Sequence, residues 1–243
     1  MKFKKFYYTI AALLLAFILI FFLIQKNSKE FDRNRVALVD AVKGNYIFRG
    51  NNPFLLKDGK KDFAYIELTS AFNNLLNQQG HTPLSNYYLI DISLLDLDEY
   101  REITKEKDFF ANNPNLGTTI NTSTLSLSLL LSEHPLYSNF VTKAVIGNYN
   151  SWITSLLNQI HEIALRKTDK PVVIYIHCDA GRDRTGLIVA GYRMLFKDTT
   201  LPTVRSQNVT EVGRNSRALY DKAIASYCLH VQQFYNKSAN FCN

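Results

Sequence analysis

IYIHCDAGRDRTGLIVAG, residues 174–191, decides how this chain is read. The apolar, β-branched run from Val172 ends at His177 and Cys178. A short continuous run of that kind marks a strand covered on both faces. Asp179, Ala180, Gly181, Arg182, Asp183 and Arg184 follow, and Thr185 to Phe196 then reads as a helix. The loop therefore joins the C-terminal end of a central strand to a helix N-terminus, where α/β proteins gather ligands. Free amides and the positive end of the helix dipole favour an anion there. The same field, with nearby cations, pulls a cysteine thiol below its free pKa. Arg184 can clamp two phosphate oxygens with its planar fork. Gly181 lets the backbone bend so that successive N–H groups turn inward. Together these residues make a cradle for phosphate with a nucleophile at its floor.

Working outward, strands and helices alternate. YIFRG (46–50) is a short strand closed by Gly50 and Pro53, and residues 64–78 place Tyr65, Leu68, Phe72, Leu75 and Leu76 on one helical face. YYLIDIS (87–93) and FVTKAVI (140–146) read as strands, and ANNPNLGTTINTST (111–124) as a polar loop. Ser151 is an N-cap for a helix to about Arg166, and two more helical patterns start near 201 and run from about 215 to 235. This alternation predicts an α/β fold with a largely parallel central sheet flanked by helices.

The chain has 243 residues, 47% of them hydrophobic and 20% charged, which suits one folded domain. Its net charge of +7 is concentrated at the front: residues 1–35 carry +5, leaving +2 for the rest. That distribution gives the folded part no basic surface for nucleic acid. Residues 1–5 are a basic tail. Phe6 to Ile24 holds no charge and is bracketed by Lys5 and Lys26, so residues 6–25 are expected to form a transmembrane anchor. Phe6, Tyr7 and Tyr8 sit where an interfacial aromatic belt would. The exit, Leu23-Ile24-Gln25-Lys26-Asn27, lacks the small residues of a cleavage site and favours a retained anchor. Basic residues flank both sides, so the positive-inside count does not orient it. Residues 26–40 read as a charged linker and 41–243 as the folded domain of a single-pass membrane protein.

HCDAGRDRTG (177–186) resembles the His-Cys-x5-Arg-Ser/Thr-Gly signature of the cysteine-based protein tyrosine and dual-specificity phosphatases. IFRGNNP (47–53) is similar to the Arg-Ser/Gly-x-x-Pro strand that often opens the bacterial and lipid-directed members of that family. The resemblance implies a tyrosine-phosphatase-like fold and hydrolysis of phosphate monoesters through a cysteinyl-phosphate intermediate. It implies Cys178 as nucleophile, Arg184 as phosphoryl clamp, Thr185 as hydroxyl donor to the thiolate, and His177 as a loop-orienting residue. Asp179 to Arg184 would form the phosphate cradle. No cofactor or metal is implied.

The family usually supplies its general acid just before the helix that leads to the catalytic strand. That place reads IGNYNSW (146–152), with Asn148 and Asn150 and no carboxylate. Asp183 stands in as the expected acid, since members acting on phosphoinositides often carry Asp immediately before the arginine; a loop-bracing role is the alternative. Asp91, Asp96 and Asp98 read first as strand-end or solvated loop residues. Arg182 would attract a second phosphate or pair with Asp179 or Asp183. Arg214 and Arg217 are outer-rim cations or an exposed helix start. Phosphoprotein is the expected substrate, a phosphoinositide or inositol phosphate the alternative, and a silent phosphate-binding pseudophosphatase the reading from another class. Cys228 and Cys242 are either both reduced or joined as a disulfide, and the pair tips the domain toward an external or lumenal side.

Overall fold

The computed structural model describes residues 29–123 and 140–243. Five strands build the central sheet: β1 (Ala37–Val42), β2 (Asn45–Asn51), β5 (Tyr88–Ser93), β6 (Gly117–Asn121) and β7 (Val172–Cys178), in the order β1-β2-β7-β5-β6. Only β1 and β2 pair antiparallel; β2, β7, β5 and β6 are parallel neighbours. Lys43 (φ 51°) and Gly44 (φ 84°) make the two-residue turn between β1 and β2, with both residues at positive φ as a tight hairpin requires. A separate hairpin, β3 (Phe54–Lys57) and β4 (Lys60–Phe63), follows β2.

Every residue of β7 is buried, as its continuous apolar run requires. The period of two sends Val173 and Tyr175 to one face and Ile174 and Ile176 to the other. On the first face they meet Phe48, Leu68, Phe72 and Leu76, the last three from helix α1 (Tyr65–Gln78). On the second they meet helices α3 (Phe140–Leu165), α4 (Asp183–Phe196) and α6 (Ala218–Phe234), through Leu157, Ile160, Leu187 and Tyr227. Helices α2 (Tyr100–Asn112) and α5 (Leu201–Val212) complete the set. Residues Thr185 to Leu195 of α4 are all buried, so this helix is apolar almost all round and fixes the floor behind the loop at Cys178.

Several expectations are corrected. FVTKAVI (140–146) is the start of α3, not a strand; the helix runs on through the buried stripe of Tyr149, Ile153, Leu157 and Ile160. Residues 111–124 contain an ordered strand, β6, paired on the edge of the sheet with β5. The linker expected over 26–40 is folded from Lys29 onward: Val36 and Val39 are buried, and β1 begins at Ala37. The single-pass membrane localisation is corrected as well. Among the described residues no helix is long and apolar enough to cross a membrane. The span expected at 6–25 lies outside the described residues.

Candidate active site

The loop at Cys178 leaves the C-terminal end of β7, and β2 runs parallel beside it in register, with Asn51 opposite Cys178. Gly50 lets the two strands close: a Cβ there would stand 2.1 Å from the hydroxyl of Tyr175, which donates to the carbonyl of Asn51 at 2.6 Å. Gly181 adopts φ +64°, and a Cβ on it would meet the carbonyl oxygen of Gly50 at 2.4 Å. Glycine is therefore required at the bend on two counts. Outside the bend, Arg49 is wholly buried and donates to the carbonyl of Gly181 at 2.9 Å, to Asn208 at 2.6 Å and to Glu211 at 2.7 Å. Glu211 also holds Arg193 of α4, so the loop, α4 and α5 share one buried polar network.

Cys178 and Arg184 face a cleft of about 280 Å³ that Asp98, Asp183, Arg217 and Tyr220 also line. Burial pushes the Cys178 thiol up, but Arg184 and the hydroxyl and backbone N–H of Thr185 outweigh it, and the thiol ends below its usual value. Thr185 is fully buried beneath the sulfur. Arg184 is held from behind: Nη1 donates to the carbonyl of Leu94 at 3.0 Å and to Asp96 at 3.2 Å, and Nη1 and Nη2 together grip Glu99 at 2.5 and 2.8 Å. Burial works against its charge, but Glu99, the thiolate and Asp96 raise its pKa further, so it stays charged. None of these bonds uses Nε, so the bidentate grip on Glu99 aims the guanidinium without consuming its fork. Asp96 and Glu99 come from the turn after β5 and form a reciprocal capping box there. Sequence reading left Asp96 as a strand-end or solvated loop residue and did not single out Glu99; the capping pattern Asp96-x-x-Glu99 is visible in the sequence, its arginine partner is not.

Asp183 lies in the same cleft, and both its oxygens are engaged: Oδ2 accepts from Arg214 at 2.7 Å and Oδ1 from the backbone N–H of Arg217 at 2.9 Å. Arg214 and Arg217 are thus brought to the rim of the cradle. Arg182 pairs with neither Asp179 nor Asp183 among the described residues, and its Nε is buried without a hydrogen-bond partner. Burial, Arg35 and Arg214 lower its pKa, against a partial offset from Asp183 and Asp32. The Asp179 carboxylate accepts the backbone N–H of Lys29 at 2.7 Å.

His177 departs from expectation. Its ring is fully buried, stacks on Tyr175 at 5.4 Å, and points Nε2 at Asp91 (3.0 Å) and Glu106 (3.4 Å) instead of at the loop. Burial opposes a charged imidazole, but the two carboxylates raise its pKa to about 9; burial and Asp91 push the Glu106 carboxyl up to about 8. The cluster sits between β5, β7 and α2, invisible to linear spacing. Asn150, in the place where the acid was sought, is part of α3 and packs its amide against Ser226 at 3.4 Å; the side chain of Asn148 lies outside the described residues. Cys228 and Cys242 are joined as a disulfide with Cα atoms 5.8 Å apart, while Cys178 is free.

A cysteine at the floor of an amide-lined bend, with a pre-aimed arginine across the cleft, defines the class: a cysteine-dependent phosphatase on a parallel α/β sheet. The chain belongs to the tyrosine phosphatase family, whose model matches residues 40–196. No curated protein matches it. Solved structures similar to it include PTPMT1 (10% identity, TM-score 0.44, covering 84% of this chain and 99% of that one), also seen in complex with PI(5)P (11%, 0.44, 82% and 97%). The core catalytic domain of the PP-IP phosphatase SIW14 from S. cerevisiae is similar too (14%, 0.37, 86% and 96%).

Proposed function

We propose that this phosphatase cleaves a phosphate monoester from an inositol ring that carries more than one phosphate, free or as a lipid headgroup. Cys178 attacks phosphorus, the ester oxygen leaves, and water then hydrolyses the cysteinyl-phosphate to release inorganic phosphate and the thiolate. Arg184 binds the equatorial oxygens through both steps. The observation that carries the substrate class is Arg182, a cation without an ion-pair partner of its own among the described residues, beside Arg35 and Arg214, whose charges Asp32 and Asp183 offset only in part. Like charges held together favour a polyanion beyond the single phosphate at Arg184. This reverses the order read from the sequence, which set phosphoprotein first.

Protonation of the departing oxygen is assigned to Asp183. Its pairs with Arg214 and Arg217 must open for that step, and a second substrate phosphate supplies the competing anion. The test compares turnover on a phosphotyrosine peptide, soluble inositol polyphosphates and phosphoinositides in detergent micelles. Higher kcat/KM on either inositol class, abolished by Cys178→Ser, is the expected result. Preference for the peptide would restore the phosphoprotein reading, and full activity in the serine variant would remove the thiolate mechanism.

A further inference from the structure

A cradle that turns its N–H groups toward phosphate turns the carbonyls of the same peptides outward, and each buried carbonyl needs a donor. Around this loop the donors can be named. The carbonyl of Asp179 accepts from the N–H of Asn52 at 3.2 Å, that of Gly181 from Arg49 at 2.9 Å, and that of Arg182 from the N–H of Gly186 at 2.8 Å. The carbonyl of Ala180, at the apex, accepts from Nη1 of Arg35 at 3.0 Å. Arg35 precedes residues 40–196, over which the family is matched.

The segment carrying Arg35 is fastened to the loop along its length. Lys29 donates its N–H to the Asp179 side chain, and Asn51 accepts the N–H of Asp32 at 2.9 Å and donates to the carbonyl of Glu30 at 2.7 Å. Phe31 donates its N–H to the carbonyl of Phe54 at 2.7 Å. Asp32 then holds Nε of Arg35 at 3.1 Å, which leaves Nη1 for Ala180. Asn51 and Asp179 are buried, so these bonds belong to the core of the site and not to a loose tail.

We propose that Lys29 to Arg35 is a strap that completes the active site and that Arg35 is a positioning residue for phosphoryl transfer. The carbonyl it grips belongs to the peptide whose N–H is that of Gly181, and gripping the oxygen outward keeps that N–H turned inward for the phosphate. Gly181, having no Cβ, offers little resistance to rotation of that peptide when the grip is lost.

This inference rests on the phosphatase reading for its kinetic readout only; amide exchange of the loop tests it independently. In the full chain, Arg35→Met keeps the stem and removes the donor. Its kcat/KM should fall on the order of 10- to 100-fold, less than the ~10²- to 10³-fold of a deleted anion-site donor because the N–H is misaimed and not removed, with vanadate affinity falling in parallel. Hydrogen exchange across residues 179–184 should quicken, while the melting temperature holds within a few degrees. Arg35→Lys retains a donor for one carbonyl and should recover most of the loss, unlike Arg184, where the fork itself is needed. Asp179→Ala should show the same pattern more weakly. Wild-type exchange and kinetics in Arg35→Met would overturn the proposal, and so would Arg35→Lys as defective as Arg35→Met. If the wild-type chain turns over no phosphate ester, the phosphatase reading fails, and quickened exchange alone still decides for the strap or against it.

Discussion

Arg184 and Arg182 stand two residues apart in the same loop and are treated in opposite ways. Arg184 is backed by Glu99, Asp96 and a carbonyl, so its charge is neutralised from behind and its orientation fixed. Arg182 has Arg35 and Arg214 for neighbours, offset in part by Asp183 and Asp32, and a buried Nε with no acceptor among the described residues. The first arrangement suits a ligand that is always present in the reaction, the phosphate being transferred. The second leaves binding energy unspent until a further anion arrives. A single loop can thus separate chemistry from selectivity by what packs behind each guanidinium.

The largest test of this contrast is Arg184→Lys. It keeps the charge but loses the bidentate grip on both Glu99 and the phosphate, and should lower kcat by about 10²- to 10³-fold on every substrate. Near-normal turnover would mean that Arg184 is not the clamp.

Asp183→Asn comes next. A general acid contributes on the order of 10²-fold or more, and most where the leaving group is a basic alkoxide. The variant should therefore slow inositol phosphates about 10²-fold while sparing an aryl phosphate. Equal losses on both would make Asp183 a brace for Arg214 and Arg217. The same alkyl-selective loss in Asp98→Asn would move the acid to Asp98, an exposed carboxylate lining the cleft.

Arg182→Gln should be milder and selective. Loss of about fivefold in kcat/KM, the scale of one partly exposed charge pair, is expected on substrates with a second phosphate and none on a monophosphate. An equal loss on both would give Arg182 to the cradle itself and erase its contrast with Arg184.

The smallest effect lies behind the loop, where charge is buried without water. Glu106 keeps its proton in the fold up to about pH 8, whereas an unfolded chain releases it near 4.5. Between those values the folded state binds more protons, so stability falls as pH rises. His177, raised to about 9, carries the same sign from 6.5 upward. Glu106→Gln removes the first contribution. The urea midpoint of the variant should gain on that of the wild type steadily from pH 5 to 8, and a constant gap would show that Glu106 is already ionised.

The parts of this enzyme that lie next to one another in the chain were legible in it. The apolar run of β7, the bend at Gly181 and the helix from Asp183 are local in cause, so strand, cradle and helix start could be read together, with Cys178, Arg184 and Thr185 placed in one loop. Residues that act on the cradle from a distance were not. Glu99 reaches Arg184 because β5 lies beside β7, His177 turns to Asp91 and Glu106 because α2 covers that edge, and Arg35 meets Ala180 because β2 brings Asn51 alongside Cys178. FVTKAVI carried a strand-like composition, and the helical register running on to Leu165 overrode it; β6 was hidden in polar residues because an edge strand owes its order to pairing and not to apolar content. Sequence alone determined the candidate cradle, since Cys178, its bend and its helix are neighbours in the chain. Only the tertiary structure decided which charges stand behind that chemistry, because an ion pair depends on proximity in space, and proximity here is set by the order of parallel strands.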